Sequence, residues 1–475
     1  MKRVIVLTVV LFVLSLGGLA AVTLWMCRAQ DQVEFTNIVS RGEDTAARGL
    51  YVTEHDNLSG RVHWATQHDL GNGSRETEAT FSGKGTTYEG MTVGDFAAYS
   101  IYAQLPEAPQ MEEYLQAHMD SGGDTATLRP ADYAEYYDLC LSSPGSWPMI
   151  TRWDKQEEDY DDFPAMRIPV GAEDRIKLNV YSYGSGMRYS LSEIDSANSS
   201  FIPWGVTVEA GSVVTVGFST ETEPRADWAP GGFGLWLVRG GTREQPQKQI
   251  RLAYALDIEK QRVVKLAASP DKGEIFLFVE EDGQVTLQVI RSSDFALLQS
   301  VPVGKLGTRE REMRYYDMDG KEVVQRWSHD DQVLVNKGKG FYAVAVGREL
   351  TALRSKEEGG VEKLFSCRMP DLCVLAAVDG VRYAWEDENV NVNEILDVYN
   401  PTDVNENGDF ESMAMDLKDG KLAMAWNCAG LSKVQLLVEV YSGKGLEYAR
   451  GIGCDLYRQS GNISSTRPDV AWEQQ

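Results

Sequence analysis

The sequence predicts an all-β fold of short antiparallel strands behind a single apolar N-terminal helix. Three observations carry that prediction. They are an uncharged run at the N-terminus, a remainder rich in aromatic and β-branched residues, and Asp-Gly pairs that punctuate the second half at intervals near ~40 residues.

The apolar run is Val4 to Cys27, 24 residues without a charged side chain, directly after Met1-Lys2-Arg3. Roughly 20 such residues span the hydrocarbon core as a helix, because in lipid every backbone polar group must be satisfied internally. An uncleaved signal anchor fits this length, with Lys2 and Arg3 held in the cytoplasm and Trp25 at the outer interface. Residues 1–27 are then a transmembrane helix, and residues 28–475 an extracytoplasmic region tethered to the cell membrane by a single pass. The alternative is secretion after cleavage at Gly18-Leu19-Ala20, but the chain stays apolar through Met26, a poor mature start. A lipid-modified Cys27 would need a small residue before it, and Leu24-Trp25-Met26 are bulky.

The region beyond the anchor is long enough for one large domain or two to three smaller ones. With 43% hydrophobic and 10% aromatic residues the chain is folded rather than disordered. Once Lys2 and Arg3 are set aside, 44 basic side chains face 71 acidic ones, a formal charge of −27. Such a field repels nucleic acid and anionic headgroups, so no nucleic-acid partner is expected. Five cysteines lie outside the apolar run, an odd number that leaves at least one thiol unpaired. Spacing suggests Cys367 with Cys373 and Cys428 with Cys454, leaving Cys140 as a small buried hydrophobe. No zinc-like spacing accompanies them.

The β pattern is clearest in the second half. Asp282-Gly283, Asp319-Gly320, Asp379-Gly380 and Asp419-Gly420 each supply the positive φ values of a two-residue hairpin between apolar runs. With Gly240-Gly241 included, the intervals are 42, 37, 60 and 40 residues, which suggests repeated four-stranded units with one insertion. Such units cannot bury both faces alone, and a ring of blades is the usual closed solution. The segment Leu266 to Val303, LAASPDKGEIFLFVEEDGQVTLQVIRSSDFALLQSVPV, runs Ser-Pro-Asp turn, strand, Asp-Gly hairpin, strand, turn, strand. It resembles a bacterial β-propeller of the TolB or YVTN type, although Lys272 precedes Gly273 where that family has Gly-Lys. The resemblance implies a β-propeller, with seven or eight blades favoured, and no particular activity.

The N-terminal half is less regular. Residues 51–70 read as strand, polar turn, strand. Residues 106–143 read as a small helical insertion of two short helices. Pro130 opens the second helix, and Tyr133, Tyr136, Tyr137 and Cys140 lie on one face of it. The acidic run Asp154 to Asp162 reads as a solvated loop, and the β pattern resumes from Ala165 to Phe218. The chain beyond residue 27 is thus one propeller with a helical insertion or, alternatively, a separate N-terminal module over 28–200 and a smaller propeller over 201–475.

Three constellations could carry chemistry. In Asp403-Val-Asn405-Glu-Asn407-Gly408-Asp409-Phe-Glu411, oxygens recur at alternate positions with Gly at the sixth, as in an EF-hand, but the twelfth position is Ala414 rather than Glu. The shorter spacing is similar to the calcium loops of integrin-type propeller repeats. That resemblance implies side-chain ligands from Asp403, Asn405, Asn407 and Glu411 and a backbone carbonyl from Asp409, holding a structural calcium ion. A polar turn has the same composition for conformational reasons alone. Ser269-Pro-Asp271-Lys-Gly273-Glu-Ile-Phe276 resembles one sialidase Asp-box, in which the motif is a hairpin turn away from the catalytic centre. His55, His63 and His68 cluster with Asp56 and Asp69, but His63 and His68 on one strand point to opposite faces.

No nucleophile elbow, His-Glu-x-x-His, dinucleotide fingerprint or phosphate loop is present. The reading is a membrane-anchored binding or interaction scaffold for a protein, peptide or glycan, non-enzymatic and without a cofactor beyond calcium. A cell-surface hydrolase acting on glycans is the alternative.

Overall fold

A computed structural model of the chain describes residues 10–21, 35–58, 62–81, 98–103, 113, 115–119, 123–132, 135–142, 164–183, 186–195, 201–218, 222–239, 249–316, 322–370, 372–377, 380–385, 409–427, 436–454, 463–465 and 467–473. It divides into two compact units. One comprises residues 1–90, 309–354 and 363–475, the other residues 91–308 and 355–362. Residues 10–21 are helical, about 18 Å of helix at 1.5 Å per residue. Among the described residues no helix is long and apolar enough to cross a membrane. The flanks of the predicted anchor, 4–9 and 22–27, lie outside them.

The first unit opens with β1 (Phe35–Gly42), β2 (Leu50–Leu58), β3 (Val62–Asp69) and β4 (Ser74–Phe81). The strand, turn and strand predicted over 51–70 are β2 and β3. Asp69 closes the next turn, its carboxylate accepting the Asn72 backbone N–H at 3.1 Å and the Asn72 side-chain N–H at 2.7 Å. Alternation along β2 turns Leu50, Val52, Glu54 and Asp56 inward together.

The second unit begins with β5 (Ala98–Ala103), β6 (Thr125–Leu128), β7 (Tyr136–Ser142), β8 (Pro164–Pro169), β9 (Arg175–Tyr183) and β10 (Gly186–Asp195). They form the three-stranded sheets β5-β7-β8 and β10-β9-β6. Residues 115–117 form a short helical turn where the first helix of the predicted insertion falls, and the structure corrects the second. Pro130 opens only a 3-10 turn, Pro130–Asp132, and the second helix is replaced by β7. Tyr136 is 38% exposed while Tyr137 is 4% exposed, a reversal between neighbours that belongs to a strand and not to a helical stripe. β7 pairs with strands on both sides, and those ladders override the weak 3.6-residue pattern.

Two four-stranded meanders follow. β11 (Phe201–Val208), β12 (Gly211–Phe218), β13 (Phe233–Arg239) and β14 (Gln249–Leu256) form one. β15 (Arg262–Ala268), β16 (Glu274–Glu281), β17 (Gln284–Arg291) and β18 (Leu297–Lys305) form the other. The β16–β17 turn is the predicted Asp282-Gly283, with φ of +52° and +78°. Side chains from both meanders, among them Val213, Leu235, Leu237, Ile275 and Leu277, share one apolar core. Gly240-Gly241 lies outside the described residues.

The remaining strands are β19 (Thr308–Tyr316), β20 (Glu322–Asp330), β21 (Val333–Lys337), β22 (Phe341–Val346), β23 (Glu349–Ser355), β24 (Val361–Arg368), β25 (Leu372–Ala377), β26 (Gly380–Trp385), β27 (Ala414–Lys418), β28 (Lys421–Asn427), β29 (Leu436–Ser442), β30 (Gly445–Cys454), β31 (Ile463–Ser465) and β32 (Asp469–Trp472). β21 to β24 and β27 to β30 repeat the four-stranded pattern that the turn spacing predicts. Asp419-Gly420 turns β27 into β28 with φ of +50° and +73°. Asp319-Gly320 lies outside the described residues. In the β25–β26 hairpin Ala377 pairs with Gly380, so the turn sits one residue earlier than the Asp379-Gly380 pair predicts.

The two ends of the described chain are woven together. β1 pairs with β30, extending the sheet to β1-β30-β29-β28-β27. β31 and β32 both pair with β2, along its two halves. Leu50, Val52, Leu70 and Trp472 of the sheet around β2 pack against Ala423, Val438, Val440, Tyr448 and Ile452 of the sheet around β29.

Candidate functional site

The chemically distinctive place in the described structure is the inner face of the sheet formed by β2, β3 and β4 and closed by β31 and β32. Registers place Leu50, Val52, Glu54 and Asp56 of β2 beside the inward residues of β3, with Val52 opposite His68, Glu54 opposite Thr66 and Asp56 opposite Trp64. On β4, Arg75 lies opposite His68 and Thr77 opposite Thr66. The face therefore starts apolar at Leu50 and Val52 and turns polar at Glu54, Asp56, Thr66 and His68, all buried.

Glu54 and His68 are each 1% exposed, and Glu54 Oε2 stands 3.7 Å from His68 Nε2. That is beyond direct hydrogen-bonding distance. Among the described residues no group hydrogen-bonds either carboxylate oxygen of Glu54 or either ring nitrogen of His68. Burial pushes the Glu54 carboxyl up to about 7, against the opposing pull of the His55 charge. Burial pushes His68 down to about 4, reinforced by the Arg75 charge and opposed by Asp56.

Neighbours hold the pair in place. Phe35 of β1 meets the His68 ring edge-on, centroids 5.3 Å apart at 85°. Arg75 lies over the Phe35 ring at 5.4 Å and donates to the Phe35 carbonyl at 3.0 Å and to Asn37 Oδ1 at 2.7 Å. Thr66 and Thr77 share a hydroxyl hydrogen bond of 3.1 Å. A pair so enclosed can hold or pass a proton; it offers no surface to a bulky substrate.

The other histidines do not converge on it. His55 points to the outer face and meets Asp469 Oδ2 at 2.8 Å, an exposed link from β2 to β32. His63 lies an odd number of residues from His68 on β3 and faces the opposite way, as strand geometry requires. Among the described residues no group of three or more His, Cys, Asp or Glu side chains is placed to hold a metal ion.

Of the residues in the predicted calcium loop, Asp403, Asn405 and Asn407 lie outside the described residues. Asp409 begins a short helical turn, Asp409–Ser412. The Glu411 carboxylate accepts the Val335 backbone N–H at 3.0 Å, and the Asn336 amide donates to the Phe410 and Met413 carbonyls at 2.7 and 2.9 Å. With Phe410 fully buried, these contacts tie the turn to β21.

The Ser269 motif is turn chemistry. Ser269 Oγ donates to Asp271 Oδ1 at 2.5 Å and accepts the Glu274 N–H at 2.9 Å, while Gly273 N–H donates to Asp271 Oδ1 at 3.1 Å. The Ser269 hydroxyl and then the Gly273 amide hold the Asp271 carboxyl below its ordinary value. Cys367 carries a free thiol, which corrects its predicted disulfide with Cys373. It sits on β24, and burial pushes its thiol up to about 12, so it behaves as a core residue. Cys428 lies outside the described residues, and Cys454 ends β30.

Sequence reasoning did not single out Glu54. The available signal was an acid at an inward position of an alternating strand that is apolar at its other end.

No family model matches this chain, and no curated protein does. Among solved structures it is similar to a Lactobacillus plantarum protein, with 8% identity, a TM-score of 0.25, and 85% of this chain and 98% of that one covered. It is also similar to a periplasmic gluconolactonase of Pseudomonas aeruginosa, at 9% identity and a TM-score of 0.22 over 85% and 99% of the chains. TolB of Acinetobacter baumannii matches at 11% identity and a TM-score of 0.20 over 89% and 82%. Similarity at this level assigns neither activity nor ligand to this chain.

Proposed function

We propose that the protein is a membrane-anchored extracytoplasmic β-propeller that acts as a binding scaffold for a protein, peptide or glycan. The observation that carries this reading is the weaving of the chain ends. β1 is held by β30, and β2 by β31 and β32, so strands from opposite ends of the chain complete shared sheets. Recurring four-stranded meanders that cannot bury both faces alone suit stacked blades, and shared terminal sheets suit their closure. A propeller of this kind would present its loops on a scaffold of strands. Residues 28–34 reach at most roughly 25 Å when extended, which keeps the propeller close to the bilayer.

Fractionation of cells expressing the full chain and a chain beginning at residue 28 tests the reading. The full chain is expected in the membrane fraction and open to protease added outside spheroplasts; the shortened chain is expected to leave the membrane. Membrane retention of the shortened chain, or protection of the full one from external protease, would overturn the topology. Glycan and peptide arrays probed with the full chain in mild detergent then identify the ligand, and turnover of an arrayed glycan would replace the scaffold by a hydrolase.

A further inference from the structure

The Glu54–His68 contact lies where the two ends of the chain meet, and its physics does not depend on where the protein resides or what it binds. Both side chains are wholly enclosed, their closest atoms are 3.7 Å apart, and none of their four polar atoms has a hydrogen-bond partner among the described residues. With no proton between them the site holds a buried anion, and with two a buried cation. Either is an unpaired charge in a low-dielectric interior. One proton makes the pair neutral overall, as an ion pair or as carboxylic acid and neutral imidazole. The ion pair would need the remaining oxygens and N–H groups satisfied as well as close contact, and it has neither. The uncharged form is the one the enclosure tolerates.

Charged groups stand on both faces of the sheet around the pair. Asp56 shares the inner face of β2, His55 stands on the outer face, and Arg75 lies across from His68 on β4. From the opposing sheet, Arg450 shares the parity of Tyr448 and Ile452 on β30, and its guanidinium is bound to Asp44 Oδ1 at 2.5 Å.

We propose that Glu54 and His68 work as one proton-holding unit of the terminal seam. As β2 closes against β31, β32 and the opposing sheet, the imidazolium hands its proton to the carboxylate. The pair is buried uncharged, and closing the seam neither takes up nor releases a proton. In the open chain at pH between about 4.5 and 6.5 the pair already carries one proton, on His68. In the closed seam it carries one proton, on Glu54. The count is unchanged, so over this window the pair adds no pH dependence to stability. The directions in which burial pushes the two groups are those a neutral pair requires.

Each partner alone would behave otherwise. His68, with its folded value lowered, contributes stability that is lost as pH falls from about 6.5 toward 4. Glu54, with its folded value raised, contributes stability that is lost as pH rises from about 4.5 toward 7.

Thermal unfolding of the full chain in mild detergent, followed by tryptophan fluorescence at pH 4.5, 5.5, 6.5 and 7.5, separates these cases. The quantity to read is the difference in Tm between each variant and the wild type. Glu54→Gln should fall further behind the wild type toward pH 4.5, by roughly 5 °C across the window. His68→Gln should fall further behind toward pH 7 by a similar amount, and the double variant should show an offset that does not change with pH. Parallel profiles for wild type and both single variants would overturn the proposal. Should a single variant fail to fold, selective 13C labelling of the five histidines in the wild-type chain decides the matter. The His68 resonance, identified by its loss in the double variant or by its contact with Phe35, should stay at its neutral position down to about pH 5. A protonated His68 at pH 6 would overturn it.

Discussion

The sheet β15–β18 and the sheet built on β2 are held by different means. In β15–β18 the four strands follow one another in the chain, and β16 buries Ile275, Phe276, Leu277, Phe278 and Val279 on both of its faces. Its turns satisfy themselves locally, through Ser269-Asp271 and Asp282-Gly283. The sheet on β2 takes strands from both ends of the chain and turns a buried acid and imidazole inward. His55 and Asp469, which meet across β2 and β32, are 414 residues apart in sequence. Closing so long a loop costs entropy before any contact rewards it. The contrast teaches that one repeat is stabilised mainly by apolar burial, whereas the sheet that joins the chain ends carries a polar inner row.

Removing residues 463–475 is the severest test of this contrast, because it strips two partner strands and the buried Trp472 from β2. Hydrogen exchange should show protection lost across Leu50–Asp69 and kept across Arg262–Lys305; equal losses in both would break the contrast. In the locally built sheet, Phe278→Ala should cost about 3–5 kcal/mol in urea denaturation, the value for emptying a fully buried aromatic site. A cost below about 1 kcal/mol would mean that burial is not what holds this repeat. In the seam, replacing Glu54 and His68 together by leucine removes four unpartnered polar atoms, and stability at neutral pH should rise by about 1–3 kcal/mol. A fall in Tm for that double variant would show that the polar pair is worth more than apolar packing in its place. The smallest effect is expected at Gly283, whose φ of +78° penalises a Cβ although no close neighbour does. Gly283→Ala should cost about 1 kcal/mol, and no loss would show that the turn relaxes freely.

The legible parts of the chain were local. Asp282-Gly283 and Asp419-Gly420 turn where the residues require, since positive φ at two consecutive positions depends only on the residues that occupy them. The hairpin of β2 and β3 is equally readable from alternation over 51–70. The stripe at Tyr133, Tyr136, Tyr137 and Cys140 misled because eight residues are too few to separate a helical from an extended pattern. β5 and β8, on either side of β7, resolved that choice. Cys367 and Cys373 are close in sequence, but the first lies on β24 and the second on β25, and the two strands belong to different sheets.

By itself, then, the sequence determined the all-β character, the hairpin turns and the alternation that turns Glu54 inward, because each depends on neighbours a few residues away. Only the tertiary structure decided that β32 lies beside β2, that β1 completes the sheet of β30, and that the inner face of the β2–β3 hairpin is enclosed. Those outcomes depend on hydrogen-bond ladders and burial between segments hundreds of residues apart, and no local pattern encodes the partner.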